Sequence, residues 1–237
     1  MNNMSIPISI ILLGKGLNKN GWKPLQDFFT SKNLHCEMHS THETILQKCT
    51  IGILLGYSCI IPASVLNMAK FGFVVFHSSD LPEGRGFAPI YNTITRNMNL
   101  TQTLCFASEE VDSGNIIAKV RYALYGDELE DEVRLIDDHL TMCLMKDALY
   151  PLLSGQVTGS SQEHHDVSWW SRRRPEESKI DPNLQITKLF DHLRALPATA
   201  PAFFEHRGRK YFLHLEASEP LRNFDIKKMT MERHYDY

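Results

Sequence analysis

The chain has 237 residues, of which 43% are hydrophobic and 22% charged, the composition of an ordinary globular protein with one large domain or one domain and an appendage. Its formal net charge of −3 excludes the broad basic surface that binds DNA or tRNA. No apolar run reaches the length of a membrane helix, and no basic region precedes the apolar residues 8–13, so we predict neither a membrane span nor a signal peptide.

Short apolar runs alternate with segments of helical periodicity in the first half of the chain. The predicted strands are 9–13, 34–38, 51–55, 71–76, 103–107 and 116–122. Trp22, Leu25 and Phe29 recur at helical spacing, Pro62 opens a short helix, and residues 89–96 form another. Gly14-Lys15-Gly16 matches no phosphate-binding motif and is interpreted as a tight turn. This alternation predicts an α/β fold, a Rossmann-like three-layer sandwich with a mostly parallel sheet.

The second half of the chain begins with apolar residues spaced by threes and fours from position 128, which predict a long amphipathic helix ending near Gly155. Asp181 followed by Pro182 predicts the N-terminus of a further helix. Residues 203–205 and 211–215, separated by Arg207-Gly208, predict a hairpin. We therefore expect a Rossmann-like catalytic domain over residues 1–154 and a C-terminal extension over residues 155–237, with a short helix and a β-hairpin.

The five cysteines are widely spaced and lie mostly in apolar segments: Cys36, Cys49, Cys59, Cys105 and Cys143. An odd number in this arrangement indicates reduced core cysteines and a cytoplasmic protein. His35, His39 and His42 match no standard zinc spacing, so no metal site is predicted.

His77 and Asp112 are the candidate catalytic residues. His77 follows the apolar run 71–76 and precedes a loop rich in Pro, Gly and Arg, while Asp112 lies in a matching place downstream. Open α/β sheets build their sites at the carboxyl ends of strands. One helix and one strand fill the interval between the two residues, enough to place them at neighbouring strand ends. A histidine with a carboxylate beside it is suited to proton transfer near neutral pH.

Four blocks around these residues occur in one order along the chain. They are Ile53-Leu54-Leu55-Gly56-Tyr57-Ser58-Cys59-Ile60-Ile61-Pro62, His77-x-Ser79-x-Leu81-Pro82-x-x-Arg85-Gly86-x-x-Pro89-Ile90, Asp112-x-Gly114-x-Ile116, and Trp170-Ser171-Arg172-Arg173-Arg174-Pro175-Glu176-Glu177-Ser178-Lys179-Ile180-Asp181. Together they resemble the 10-formyltetrahydrofolate-dependent formyltransferases, whose members act on initiator methionyl-tRNA, glycinamide ribonucleotide or nucleotide-linked amino sugars. The resemblance covers about residues 50–204.

The resemblance implies roles for particular residues. His77 would be the catalytic base and Asp112 its partner. The folate site, for the co-substrate 10-formyltetrahydrofolate and without a metal, would be lined by Leu81, Arg85, Gly86, Pro89 and Ile90. Arg85 would meet the glutamate of the folate or a phosphate, or else form a salt bridge within its own loop.

One residue of the family pattern is missing. The family has Asn-x-His, and the amide of its asparagine helps to bind the developing oxyanion, but here Val75 occupies that position. Asn92, one helical turn beyond Pro89, is the nearest catalytic candidate to replace it. The alternatives are that Asn92 is a polar residue on a solvated helix face, or that the strand alignment has slipped.

The aromatic and basic loop after residue 168 is the candidate acceptor site, comprising Trp169, Trp170, Arg172, Arg173 and Arg174. Aromatic rings stack on nucleobases, and guanidinium groups bind pyrophosphate oxygens. The alternative is a surface loop in which Glu176 and Glu177 pair with the arginines.

We therefore expect an N-formyltransferase that acts on a dTDP- or UDP-linked amino-dideoxy sugar for a bacterial surface glycan such as the O-antigen of lipopolysaccharide. It would be a cytoplasmic homodimer that binds neither nucleic acid nor membrane. About 30 residues follow Arg207, too few for the barrel that tRNA formyltransferases append. The alternatives are a formyltransferase for another small amine, a formyltetrahydrofolate hydrolase, and a catalytically silent folate- or nucleotide-binding module.

Overall fold

The computed structural model describes residues 9–14, 23–162, 166–219 and 221–235. Its strands are β1 (Ser9–Leu13), β2 (His35–His39), β3 (Ile51–Leu55), β4 (Phe73–His77), β5 (Arg85–Gly86), β6 (Leu100–Phe106), β7 (Ile116–Tyr122), β8 (Trp169–Trp170), β9 (Ala202–His206), β10 (Arg209–Leu213) and β11 (Met229–Arg233). Its helices are α1 (Lys23–Ser31), α2 (Ala63–Leu66), α3 (Pro89–Thr95), α4 (Glu130–Ser154) and α5 (Ile186–Arg194). Lys15, Gly16 and Trp22, named in the sequence predictions, lie outside the described residues.

Seven of these strands form one sheet, in the order β11-β7-β6-β4-β3-β1-β2. The pairs β2–β1, β1–β3 and β3–β4 are parallel, whereas β4–β6, β6–β7 and β7–β11 are antiparallel. The predicted Rossmann-like α/β fold is confirmed, but the sheet is mixed, with the parallel pairs confined to one half. The connection from β6 to β7 contains a turn and no helix, and without a crossover the chain must reverse direction.

The core lies at the centre of the sheet and under α4. All five residues of β3 are buried, as expected of a strand covered on both faces. α4 places Val133, Leu140 and Leu144 into the core against β6 and β7. The Glu132 side chain accepts a hydrogen bond from the Leu129 amide at its N-terminus, and Gly155 ends the helix with φ +71°. The long helix predicted from apolar spacing is therefore present and fixed over the antiparallel half of the sheet.

The helix predicted to begin at Asp181-Pro182 begins later, at Ile186. The Asp181 carboxylate accepts from the Asn183 amide at 2.9 Å and stabilises a turn, so it caps no helix. The hairpin is formed by β9 and β10, with Arg207 and Gly208 both at positive φ as a two-residue type I′ turn requires.

The strand β11 was not predicted from the sequence. It pairs with β7 and so returns the C-terminal part of the chain to the edge of the main sheet. The division into domains at residues 154 and 155 remains a prediction.

Candidate active site

His77 is the last residue of β4, and its ring is buried where the parallel strands end. Only 8% of the residue is exposed. His77 Nε2 lies 2.8 Å from the carbonyl oxygen of Gly84, and His77 Nδ1 lies 3.5 Å from Asp112 Oδ2. A carbonyl oxygen only accepts, so Nε2 carries the proton in its bond to Gly84. Each ring nitrogen therefore faces an oxygen of a different loop.

Asp112 lies in the connection between β6 and β7, in the left-handed backbone conformation with φ +53°. Its Oδ2 atom accepts a hydrogen bond from the Gly86 amide at 2.9 Å and is the same oxygen that faces the His77 ring. The structure thus brings together the two residues selected from the sequence, with the Asp112 carboxylate joining His77 to the loop after β4.

This arrangement allows His77 to exchange a proton. In the neutral ring with Nε2 protonated, Nδ1 has a lone pair and has no proton to donate to Asp112. When the ring takes up a second proton, or changes tautomer, Nδ1–H donates to the Asp112 carboxylate. The site can therefore accept a proton and stabilise the charge that results.

Asp80 anchors the loop 78–88 to the sheet. Lys119 donates to Asp80 Oδ1 at 2.7 Å, and Arg121 donates to both carboxylate oxygens at 2.8 and 3.0 Å. Burial opposes ionisation of the Asp80 carboxyl, but the hydrogen bonds from Arg121 and Lys119 outweigh it and lower its pKa below the usual value. The loop that carries Gly84 and Gly86 is therefore attached firmly at its start.

The five residues predicted to line the folate site have different environments. Leu81 and Ile90 are core residues, 0% and 3% exposed. The Gly86 amide is occupied by Asp112, and Pro89 is the first residue of α3. The side chains of Leu81 and Ile90 do not reach the surface, so contact between these five residues and a ligand would use backbone groups and the Pro89 side chain.

The Arg85 side chain points into the protein. The sequence had left two kinds of partner open for it: a phosphate or the glutamate of the folate, or a salt bridge within its own loop. Arg85 is 5% exposed, and its Nε and Nη2 atoms donate to Gln162 Oε1 at 3.1 and 2.7 Å. A weaker contact joins Nη1 to Glu110 at 3.8 Å. The partners of Arg85 therefore lie within the chain, and the buried residue Gln162 is an addition that the sequence did not single out.

Asn92 is half-buried in α3, and its amide nitrogen donates to the carbonyl oxygen of Ala88 at 2.9 Å. This is a bond within its own helix, as expected of the alternative in which Asn92 has no catalytic role. Its oxyanion role remains a prediction.

A cleft opens beside Asp112 at the ends of β3 and β4. Its lining includes Leu54, Val75, Tyr57 and Cys59 together with Asp112. Val75 pairs with Leu54 of β3 and Cys105 of β6 and contacts the cluster around Leu81. Val75, which occupies the position of the asparagine in the family pattern, thus contributes an apolar side chain to the lining of this cleft.

Trp169 and Trp170 form β8, which pairs with β5. Trp170 is 4% exposed and packs against Gly84, where an added Cβ would lie 2.5 Å from the indole. Trp169 is 52% exposed, and its ring lies 5.7 Å from the Arg85 guanidinium. Of the two tryptophans predicted to meet the acceptor, Trp169 therefore has the exposed ring, whereas Trp170 is buried.

The three arginines after Trp170 also differ. Arg173 lies over the Tyr91 ring at 3.9 Å and donates to Ser178 at 3.2 Å, so it packs against α3. Arg172 is exposed and lies over the Phe87 ring at 4.7 Å, and Arg174 is exposed. Two of the three guanidinium groups are thus accessible to a ligand.

No group of three or more His, Cys, Asp or Glu side chains among the described residues is arranged to hold a metal ion. Within the same residues, no helix is long and apolar enough to cross a membrane.

The chain thus has an α/β fold in which His77, at the end of β4, contacts Asp112 of the loop after β6. A family model described as formyl transferase matches residues 23–136. The matched residues include His77 and Asp112.

The curated relatives of this chain include methionyl-tRNA formyltransferases. That of Bacillus pumilus is 29% identical over 184 residues, which are 76% of this chain and 54% of the relative. That of Parvibaculum lavamentivorans is 29% identical over 156 residues, 65% of this chain and 50% of the relative. The chain thus spans about half the length of the curated relatives it matches.

Solved structures share the fold over most of the chain. A methionyl-tRNA formyltransferase from Clostridium thermocellum superposes with a TM-score of 0.70 at 23% identity, covering 96% of this chain and 97% of that one. A 4-N formyltransferase from Francisella tularensis superposes with a TM-score of 0.72 at 17% identity, and the match covers 90% of this chain and 99% of that one. The formyltransferase PseJ from Anoxybacillus kamchatkensis superposes with a TM-score of 0.62 at 20% identity, and the match covers 71% of this chain and 88% of that one. Its structure was solved with UDP-4,6-dideoxy-4-formamido-L-AltNAc and tetrahydrofolate.

Proposed function

We propose that this chain is an N-formyltransferase that moves the formyl group of 10-formyltetrahydrofolate to the amine of a dTDP- or UDP-linked amino sugar. The observation that carries the proposal is the contact between His77 and Asp112 beside the cleft, within a formyl transferase domain. Transfer of a formyl group to an amine requires a base for the amine proton and an acid for the leaving nitrogen, and one imidazole can serve as both.

In the proposed reaction the neutral amine attacks the formyl carbon, and a new C–N bond forms as the carbonyl electrons move to oxygen. Substrate binding first changes the ring to the tautomer in which Nδ1–H donates to Asp112 Oδ2, and this leaves a lone pair on Nε2 that takes the proton of the amine. His77 returns that proton to the folate nitrogen as its bond to the formyl carbon breaks, giving tetrahydrofolate and the formamide. Nε2 must first exchange its bond to Gly84 for the substrate, so binding shifts the loop carbonyl or the ring.

The acceptor is proposed to lie against the surface formed by Trp169, Phe87 and Arg172. An exposed indole offers a stacking face to a nucleobase, and exposed guanidinium groups suit the pyrophosphate of a nucleotide. A net charge of −3 with a small local group of arginines favours a nucleotide over a tRNA. The complex of PseJ with a UDP-linked formamido sugar supports the same class of acceptor.

We also propose that the chain is a homodimer formed through the hairpin β9–β10. Tyr211 and Phe212 are 40% and 60% exposed, which is a large apolar surface for so short a hairpin. Light scattering at micromolar concentration tests this, and a monomer would refute it. The five cysteines are free thiols, which supports a reducing compartment such as the cytoplasm.

The alternative is a catalytically silent folate- or nucleotide-binding module, which is favoured by Val75 at the amide position and by the bond between His77 and Gly84. The test is incubation with 10-formyltetrahydrofolate and a set of dTDP- and UDP-linked amino sugars, with initiator methionyl-tRNA in parallel. Mass spectrometry should find an N-formyl sugar and no formylated tRNA. Binding of both ligands without product would favour the silent module, and formylated tRNA would refute the sugar assignment.

A further inference from the structure

The side chain of Gln162 is a buried amide that contacts two separate parts of the site. Its Nε2 atom donates to the carbonyl oxygens of Asp112 and Gly114, both at 2.8 Å, and its Oε1 atom accepts the two bonds from Arg85. Only 5% of the residue is exposed. One side chain therefore connects the turn that carries Asp112 with the loop that carries Gly86.

The chemistry of these partners fixes the orientation of the Gln162 amide. Arg85 only donates, and the two carbonyl oxygens only accept, so reversing the amide would place like groups against each other on both sides. All four hydrogen bonds of the amide are thus made with residues of the site. Such a fully paired buried amide specifies one arrangement of its neighbours.

The backbone next to Gln162 is also held in place. Ser160 and Ile116 exchange two hydrogen bonds of 2.8 Å, which attach this segment to the start of β7. The Ser160 hydroxyl lies 2.9 Å from His234 Nδ1. Gln162 is thus extended from a fixed segment toward the turn 112–114.

The hydrogen bonds from Gln162 hold the turn 112–114 at a residue with an uncommon backbone conformation. Asp112 has φ +53°, a conformation that residues other than glycine seldom adopt without support from their surroundings. Its carboxylate faces His77 only while this backbone conformation is kept. The two N–H groups of Gln162 bind the carbonyls of Asp112 and Gly114 on either side of Ser113.

We propose that Gln162 is a positioning residue for formyl transfer: it holds the Asp112 turn, and through it the Asp112 carboxylate, against the His77 ring. This inference rests on the proposed function. Arg85 contributes by fixing the Gln162 amide, which explains why its guanidinium is turned inward instead of toward a ligand.

The test replaces Gln162 by Glu, which keeps the acceptor for Arg85 but presents a carboxylate oxygen to the two carbonyls. Gln162→Met, of similar length and without charge, is measured in parallel in case the added charge prevents folding. Gln156→Glu, an exposed glutamine of the same segment, is the matched control. For both Gln162 variants we expect kcat to fall about 10- to 100-fold, as for other outer partners of catalytic groups, with KM changed less than about 3-fold.

Two further measurements separate positioning from general support of the fold. In an Asp112→Asn background, Gln162→Glu should cost little more activity, since it acts through Asp112. The ¹⁵N shifts of the His77 ring in Gln162→Glu should move toward those of Asp112→Asn, and Gln156→Glu should leave them unchanged.

Wild-type turnover in the Gln162 variants, or full losses that multiply with Asp112→Asn, would overturn the positioning role. If the wild type itself transfers no formyl group, the proposed function fails, but the His77 shifts still decide whether Gln162 positions the pair. Unchanged shifts in both Gln162 variants would then overturn this inference as well.

Discussion

His77 Nδ1 and Asp112 Oδ2 lie 3.5 Å apart although β4 and β6 are antiparallel, so the loop after β6 must return along the sheet to bring Asp112 to the end of β4. The Gly86 amide bonds the same carboxylate oxygen, so the loop after β4 supplies both the histidine and a donor that fixes the aspartate.

Replacing His77 by Asn should abolish most formyl transfer, because an amide does not take up the amine proton. We expect kcat to fall by about 10²–10⁴. Affinity for folate and nucleotide, measured by calorimetry, should stay within a few-fold of wild type. Turnover close to wild type would show that His77 is not the base.

Asp112→Asn should also be nearly inactive, and the two losses should not multiply. The aspartate acts through the imidazole, so once His77 is gone its carboxylate has little left to contribute. Steady-state kinetics of the two single variants and the double variant provide the comparison. A double variant that shows the full product of both losses would mean that the residues act independently.

Val75→Asn should raise kcat, by about 10-fold or more, because it places an amide donor on the cleft wall beside Asp112. Donors to an oxyanion commonly contribute 10²–10³ in rate, and a site not built around this amide should recover part of that. Val75→Ala, which adds no donor, is the control. Lower turnover in Val75→Asn than in Val75→Ala would contradict the idea that an amide is missing here.

Trp169→Ala should weaken binding of the free nucleotide diphosphate by about 1–3 kcal/mol, the usual value for a base stacked on an aromatic ring. Trp169→Phe should retain most of the affinity. Trp170→Ala should instead destabilise the fold by about 3–5 kcal/mol, because that indole is buried against Gly84. Nucleotide titration and urea unfolding of the three variants separate the effects, and unchanged nucleotide affinity in Trp169→Ala would move the acceptor site elsewhere.

Asp137 should make the stability of the protein depend on pH. Burial raises the pKa of its carboxyl to about 7 and outweighs the hydrogen bond from Ser78, while the Asp138 carboxylate adds a smaller rise. The folded state then holds a proton that the unfolded state has lost, so the free energy of unfolding should fall as pH rises from about 4 to about 7.

Asp137→Asn should remove this slope and leave the variant more stable than wild type at about pH 8, by up to a few kcal/mol. Urea unfolding of both proteins at about pH 5 and about pH 8 measures the difference. Equal slopes in the two proteins would show that Asp137 ionises freely in the folded state.

The sequence predicts most of the sheet because buried strands are short apolar runs. The predicted strands 51–55 and 116–122 coincide with β3 and β7. β11 was missed because it is a short edge strand, in which only Met229 and Met231 are apolar and alternate with polar residues. The direction of β7 relative to β6 depends on the connection between them, and apolar spacing carries no information about that.

The part of the candidate site that the sequence predicted is the pair His77 and Asp112, because a histidine or an aspartate after a buried strand indicates proton-transfer chemistry. His77 and Asp112 stand at strand ends, and the structure places them together. Which of two adjacent tryptophans faces the interior depends on the space beside Gly84, which only the tertiary structure provides. Gln162 is a single polar residue in a segment without periodicity, so its burial against Arg85 and the Asp112 turn gave no signal in the sequence.

The pairing of β11 with β7 has a consequence for folding during synthesis. β7 leaves the ribosome long before residues 229–233, so its outer row of N–H and C=O groups stays unpaired while the intervening chain is made. An open strand edge can pair with the same edge of another nascent chain. Ribosome stalling between β7 and β11 should therefore release aggregating fragments, and a synthetic peptide of residues 229–233 with its flanking residues should protect them.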